Sequence, residues 1–286
     1  MEVTALLISM GSMGGLGALF SAGLSLANKK LYVEEDPRIA QVEEILPGAN
    51  CGGCGYPGCK SFAENVVKGN VAVEDCTVAS QDEIEEIAAI LGVEAGTSEK
   101  QVARVMCLGG IEETAKKAEY YGIESCVAAE LSGGGDKLCE YGCLGYGDCV
   151  DSCPFDAIYM GENGLPVVID ELCTGCGNCV EACTRDVIEL HPVSHNLFVF
   201  CRNQDDPKTA RGVCTRACIG CQICVRQGEE GQMYMDGNLA KVNYEEYGTA
   251  TELPTDRCPT NCLVLMSAGG KDEEEAEVEN VEEMAA

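Results

Sequence analysis

The 286-residue sequence contains no tryptophan, and only 5% of its residues are aromatic. With so few large rings and 34 glycines, it cannot fill one large apolar core, so small domains are expected, about two or three for this length. Basic residues are scarce as well: 19 Lys and Arg stand against 48 Asp and Glu, a net charge of −29. A nucleic-acid partner calls for a basic stripe, so none is expected. No G-x-G-x-x-G and no G-x4-G-K-[ST] occurs, which argues against a nucleotide site. No nucleophile–base constellation stands out either, so no chemistry on a substrate is expected of the chain itself.

What the sequence does have is 21 cysteines. Small domains with poor cores need staples, and the choice lies between disulfides and metal. An odd number of cysteines, many at C-x-x-C spacing, favours metal, because side chains two residues apart in a loop can point at one centre. Metal binding then contributes to folding in place of the missing core.

From Val3 to Asn28 no residue is charged, and Lys29 and Lys30 follow at once. About 20 apolar residues suffice to cross a bilayer as a helix. A cleaved signal peptide would carry a basic stretch first, and Glu2 is the only charge there. The expectation is a single amino-terminal span in the cytoplasmic membrane, residues 1–30, with the rest of the chain on the cytoplasmic side by the positive-inside rule. Gly11, Gly14, Gly15, Gly17, Ala18, Ser21 and Ala22 give this span a small-residue face for another helix.

The fold expected beyond it is α+β: a small helical 4Fe–4S domain, then a ferredoxin-like domain with several clusters. In residues 33–92, Asp36-Pro37 opens a helix, a second runs from Lys60 to Lys68, and the capping box Ser80-Gln-Asp-Glu83 starts a third that Gly92 stops. These surround Cys51, Cys54, Cys59 and Cys76. A connecting segment, 93–131, holds a helical run from Glu112 to Tyr121. Ser132-Gly-Gly-Gly-Asp reads as a linker into repeats over 132–266, and 267–286 is an acidic tail.

The repeats are Cys153-Pro-Phe-Asp-Ala-Ile-Tyr-Met, Cys183-Thr-Arg-Asp-Val-Ile-Glu-Leu and Cys258-Pro-Thr-Asn-Cys-Leu-Val-Leu, each a cysteine, a turn and a short apolar strand. Each follows a triplet: Cys139/Cys143/Cys149, Cys173/Cys176/Cys179 and Cys218/Cys221/Cys224. The middle run is the C-x2-C-x2-C-x3-C of bacterial ferredoxins, in which the fourth cysteine serves the neighbouring cluster. Crossed in this way, Cys139, Cys143, Cys149 and Cys183 would hold one 4Fe–4S cluster, and Cys173, Cys176, Cys179 and Cys153 the next. Gly228 stands where the third run would have its fourth cysteine, so one cluster there is expected, on Cys218, Cys221, Cys224 and Cys258. Three clusters result from this ligation rule, and about four with one on the Cys51 quartet. Gly175, Gly177 and Gly220 leave room for loops around the cubes. Cys262 is read as a packed thiol, and Cys107, Cys126, Cys201 and Cys214 default to buried free thiols. His191 and His195 take surface or packing roles. For the Cys51 quartet, spacing alone leaves a zinc or dithiol site open.

Cys-Gly-Gly-Cys-Gly-Tyr-Pro-Gly-Cys at 51–59, Arg104-Val-Met-Cys-Leu-Gly-Gly and Tyr141-Gly-Cys-Leu-Gly-Tyr-Gly-Asp-Cys-Val together closely resemble the B subunits of Rnf-type complexes, ion-translocating ferredoxin:NAD+ oxidoreductases of membranes. The resemblance runs from the span to about Leu265. It implies a 4Fe–4S cluster on the Cys51 quartet and a partnership with ferredoxin, the membrane and the other subunits of such a complex, in which electron flow is coupled to Na+ or H+ movement. It places the flavin and nicotinamide sites on those other subunits. An iron–sulfur input subunit of another membrane or carbon-monoxide-metabolising enzyme is the alternative, and a zinc-stabilised interaction protein a third reading.

Overall fold

A computed structural model describes residues 2–31, 36–97 and 99–266; the acidic tail expected at 267–286 lies outside them. The first element, α1 (Glu2–Leu31), covers the uncharged run and ends on Lys29 and Lys30. Its stretch Met10–Leu31 is long and apolar enough to cross a membrane, and none of it is covered by the rest of the chain. Leu16, Phe20 and Leu24 stand exposed along it.

Three short helices follow: α2 (Pro37–Ile45), α3 (Cys59–Val67) and α4 (Gln81–Leu91). Each begins or ends on local chemistry legible in the sequence. The Asp36 carboxylate accepts from the Arg38 N–H at the start of α2. Ser80 and Glu83 exchange both capping-box hydrogen bonds at α4, and Gly92 closes it at φ +69. Val42, Phe62, Ala63, Ile84 and Ile87 from the three helices form one buried cluster, which Cys54, Cys59 and Cys76 border.

Beyond Gly92 the chain is built of small pieces. In order they are β1 (Gln101–Val105), α5 (Cys126–Leu131), α6 (Asp148–Asp151), β2 (Ile158–Met160), β3 (Pro166–Val168), α7 (Asn178–Glu181), β4 (Ile188–Pro192), β5 (Leu197–Val199), α8 (Pro207–Val213), α9 (Ile223–Gln227), β6 (Met233–Asp236), β7 (Leu239–Val242), α10 (Tyr244–Tyr247) and β8 (Leu263–Leu265). The strands make four antiparallel pairs, β1–β4, β2–β3, β5–β8 and β6–β7. The fold is α+β, as the sequence implies.

The repeats fold alike. After Cys153, Cys183 and Cys258 the chain turns through Asp156, Asp186 and Asn261, at φ +51, +49 and +49, and then enters β2, β4 and β8. Asp and Asn tolerate this left-handed turn better than other non-glycine residues. The connecting segment is woven into the repeats: β1 pairs with β4 along its whole length, Gln101 opposite Pro192 to Val105 opposite Ile188. Arg104 in β1 is buried and holds Asp170 through both carboxylate oxygens, with 2.7 Å between Nη2 and Oδ2.

Two local expectations differ from what forms. Glu112–Tyr121 is not a helix; its backbone pairs outward instead, with bridges Thr114–Cys214 and Lys116–Lys137. The Ala115 N–H donates to Val213 O, and the Leu138 N–H to Ala115 O. Tertiary pairing outweighs helix propensity here. The run 132–136 is a structured turn. Gly133, Gly134 and Gly135 all have positive φ, and the N–H groups of Gly134 and Gly135 both reach Ala129 O.

Candidate metal centres

The cysteines ring cavities of nearly equal size. Cys51, Cys54, Cys59 and Cys76 line a space of about 350 Å3 together with Leu46, Pro47 and Phe62. Asn50, at φ +48, accepts the Cys59 N–H at 2.9 Å and so fixes the loop that carries the first three sulfurs. Cys153, Cys173, Cys176 and Cys179 line a second space of about 350 Å3, the set expected from crossed ligation. Burial, then the other thiols of the set, push Cys179 up to about 11.

The first ferredoxin run is grouped differently from the spacing-based expectation. Cys126, Cys143, Cys149 and Cys183 line one space of about 360 Å3, whereas Cys139 lines another. The glycines explain the register. Gly145, Gly175 and Gly220 each stand two residues after a cysteine, at φ +86, +68 and +59. A Cβ on them would lie 2.7 Å from Gly164 O, 2.6 Å from Gln101 O and 2.9 Å from Asn238 O. Gly147, Gly177 and Gln222 then open α6, α7 and α9 in the left-handed conformation. Cys143, Cys173 and Cys218 are therefore equivalent, and so are Cys149, Cys179 and Cys224. At the position of Cys176 and Cys221 the first run has Tyr146, whose ring packs 5.3 Å from Tyr120.

Cys126 fills that vacancy from outside the run. The Asp148 carboxylate, next to Cys149, accepts the Cys126 N–H at 2.9 Å, the Val127 N–H at 3.1 Å and the Ser125 hydroxyl at 3.0 Å. It thereby anchors the start of α5 and brings Cys126 to the cavity. Burial, followed by Cys126 and Cys183, pushes Cys149 up to about 12.

Cys218, Cys221, Cys224 and Cys258 gather at the last run: burial foremost, with Cys218, Cys221 and Cys258 adding to it, pushes Cys224 up to about 11. At Gly228 a Cβ would meet Gln232 Oε1 at 2.8 Å and Cys224 O at 2.9 Å, so no ligand side chain fits there. Cys262 is buried with its sulfur 3.8 Å from that of Cys258, and its hydrogen bond draws the Cys258 thiol down to about 4. His191 is packed against Phe198 and Tyr244, bonded to Glu189 at 3.2 Å, and takes no part in a cysteine set.

These cavities discriminate between metals. A single tetrahedral zinc, with Zn–S about 2.3 Å, holds its sulfurs within about 4 Å of one another. Among the described residues no three His, Cys, Asp or Glu side chains converge to hold one ion. The Cys51, Cys143 and Cys173 sets line spaces of about 350 Å3 with largely apolar walls, which suits a cube of iron and sulfide. Free thiols throughout, with no disulfide, leave every sulfur available.

Comparison with known proteins points to iron–sulfur binding. A family model described as an Fe-S cluster matches residues 46–78, and one described as a 4Fe-4S dicluster domain matches residues 139–188. The B subunit of the Na+-translocating ferredoxin:NAD+ oxidoreductase complex of Acetobacterium woodii is 45% identical over 91% of this chain and 78% of its own length. The B subunit of the ion-translocating oxidoreductase complex of Methanosarcina acetivorans is 38% identical over 91% of this chain and 98% of its own. The B subunit of the proton-translocating ferredoxin:NAD+ oxidoreductase complex of Clostridium ljungdahlii is 38% identical over 89% and 90%. Cysteine-ringed cavities in ferredoxin-type repeats define a protein that carries several 4Fe–4S clusters. Within that class, the chain belongs to the family of B subunits of ion-translocating oxidoreductase complexes.

Proposed function

We propose that this chain relays single electrons between reduced ferredoxin and the NAD-reducing remainder of a membrane-bound, ion-translocating complex, anchored by α1 with its cluster domains on the cytoplasmic side. The observation that carries the reading is the adjacency of the cysteine sets. A Cβ at Gly53, beside Cys54, would lie 2.9 Å from both Cys176 Cα and Cys176 O, so the Cys51 set touches the Cys173 set backbone to backbone. Crossed ligation through Cys153 and Cys183 ties the Cys173 set to the Cys143 set. No nucleotide-binding fingerprint accompanies them in the sequence. The four sets Cys51/Cys54/Cys59/Cys76, Cys153/Cys173/Cys176/Cys179, Cys126/Cys143/Cys149/Cys183 and Cys218/Cys221/Cys224/Cys258 each hold a 4Fe–4S cluster in this account. Electrons enter at the ferredoxin-like repeats and leave by the Cys51 domain, which follows the membrane helix directly in the chain.

Two experiments test this. Cys153→Ala is expected to remove the cluster of the Cys173 set and spare that of the Cys143 set, read by Mössbauer or EPR spectroscopy; loss of the Cys143-set cluster alone would refute the crossing. Residues 31–286 are expected to be reduced quickly by ferredoxin, and residues 31–97 to bind one cluster but accept electrons slowly. Equal rates would place the entry point at the Cys51 cluster and reverse the direction.

A further inference from the structure

Four cysteines outside these sets come from four separate stretches and share no motif. Cys107, Cys139, Cys201 and Cys214 nevertheless line one space of about 340 Å3, the size of the cavities assigned above. Two glycines show how closely they meet. A Cβ at Gly142 would lie 3.4 Å from the sulfurs of both Cys107 and Cys139, and one at Gly109 would lie 3.2 Å from Cys214 Sγ and 3.6 Å from Cys107 Sγ.

The surroundings are built for negative charge on sulfur. Cys107 Sγ accepts the N–H groups of Gly109 and Cys143, both at 3.4 Å. Cys201 Sγ accepts those of Asn203 at 3.3 Å and Cys218 at 3.2 Å. The buried Asn203 amide donates to Cys139 Sγ at 3.7 Å, and the buried Thr114 hydroxyl to Cys214 Sγ at 3.8 Å. Lys137 adds an independent observation. It lines the same space, is only 4% exposed, and its ammonium bonds to Gly109 O at 3.0 Å with no carboxylate partner among the described residues. A buried cation requires a compensating anion, and a cube held by four thiolates supplies one.

We propose that Cys107, Cys139, Cys201 and Cys214 hold a further 4Fe–4S cluster, the fifth of the chain. It rests on the relay reading above and completes it, because the site lies between sets that otherwise stand apart. The Cys143 N–H donates to Cys107 Sγ on one side, and the Cys218 N–H to Cys201 Sγ on the other. The five sets then form one unbroken row from Cys51 to Cys218, and 20 of the 21 cysteines are ligands, leaving Cys262. Each transfer is a one-electron exchange, the cluster gaining from one neighbour what it gives to the other, with reduced ferredoxin as the only donor needed.

The test is native mass spectrometry of the full-length protein, purified anaerobically, with iron and acid-labile sulfide counted in parallel. The expected result is five clusters, about 20 iron atoms per chain at four irons per cube. The double variant C107A/C214A is expected to carry four, and Cys262→Ala to keep five. A wild-type chain that saturates at four clusters overturns the inference and leaves the relay reading standing, whereas a chain that binds zinc and no iron overturns both. Retention of all five by C107A/C214A overturns the assignment of residues. If that variant does not fold, the wild-type count decides alone.

Discussion

Asp148 shows how one carboxylate can bring a distant cysteine to a cavity that it does not itself line. Its two oxygens hold Ser125, Cys126 and Val127 at the start of α5, and through them Cys126 reaches the cavity of Cys143, Cys149 and Cys183. Asp148→Ala removes hydrogen bonds from donors that are half-buried or exposed, so the loss of stability is modest, about 0.5–1.5 kcal/mol. The expected outcome is faster bleaching of that one cluster in air, followed by its visible absorbance, while the Cys51 cluster decays at the wild-type rate. Equal decay of both would mean that Cys126 is not held by Asp148. The residue scale is also where the site is least legible in the sequence. Spacing counts cysteines but not their register: it groups Cys139 with Cys143, Cys149 and Cys183, whereas Cys126 lines the cavity of those three. The glycines at 145 and 147 carry the register, and Tyr146 marks the vacancy.

Among the elements, those set by local chemistry follow the sequence closely. Capping residues begin α2 and α4, and the cysteine–turn–strand repeat reappears as β2, β4 and β8. The elements that depend on distant partners are not legible in the same way. Residues 112–121 have helical composition, but pair with Val213, Cys214, Lys137 and Leu138 instead. Cys107, Cys201 and Cys214 meet only because β1, the loop after β5 and the end of α8 converge. The contact between the helical domain and the repeats makes a prediction at this scale. Gly53 sits against the Cys176 backbone with no space for a Cβ, so Gly53→Val must part the two domains locally. Its expected effect is slower electron exchange between the Cys51 and Cys173 clusters in stopped-flow reduction, with iron content unchanged. An unchanged rate would show that this contact is not on the electron path.

The whole molecule is a small-domain protein in which cysteine sets take the place of a large core, as the lack of tryptophan and the abundance of glycine suggest. The three helices around Cys51 have their own apolar cluster, and so do the paired strands around Val102, Ile158 and Ile188 and those around Leu197, Leu239 and Leu263. The cysteine sets are part of these clusters: Cys54, Cys59 and Cys76 pack against the first, Cys143, Cys149 and Cys173 lie in the second, and Cys218 lies in the third. Net charge of −29 favours a partner surface rich in Lys and Arg, so docking of another subunit is expected to weaken as salt is raised. The relay itself is tested most directly by adding reduced ferredoxin stepwise to the anaerobic full-length protein and counting the electrons taken up by EPR and absorbance. The account expects the chain to accept electrons one at a time up to one per cluster, with half-reduced clusters coupling magnetically to their neighbours in the row. A chain that accepts none, or clusters whose signals show no mutual coupling, would contradict it.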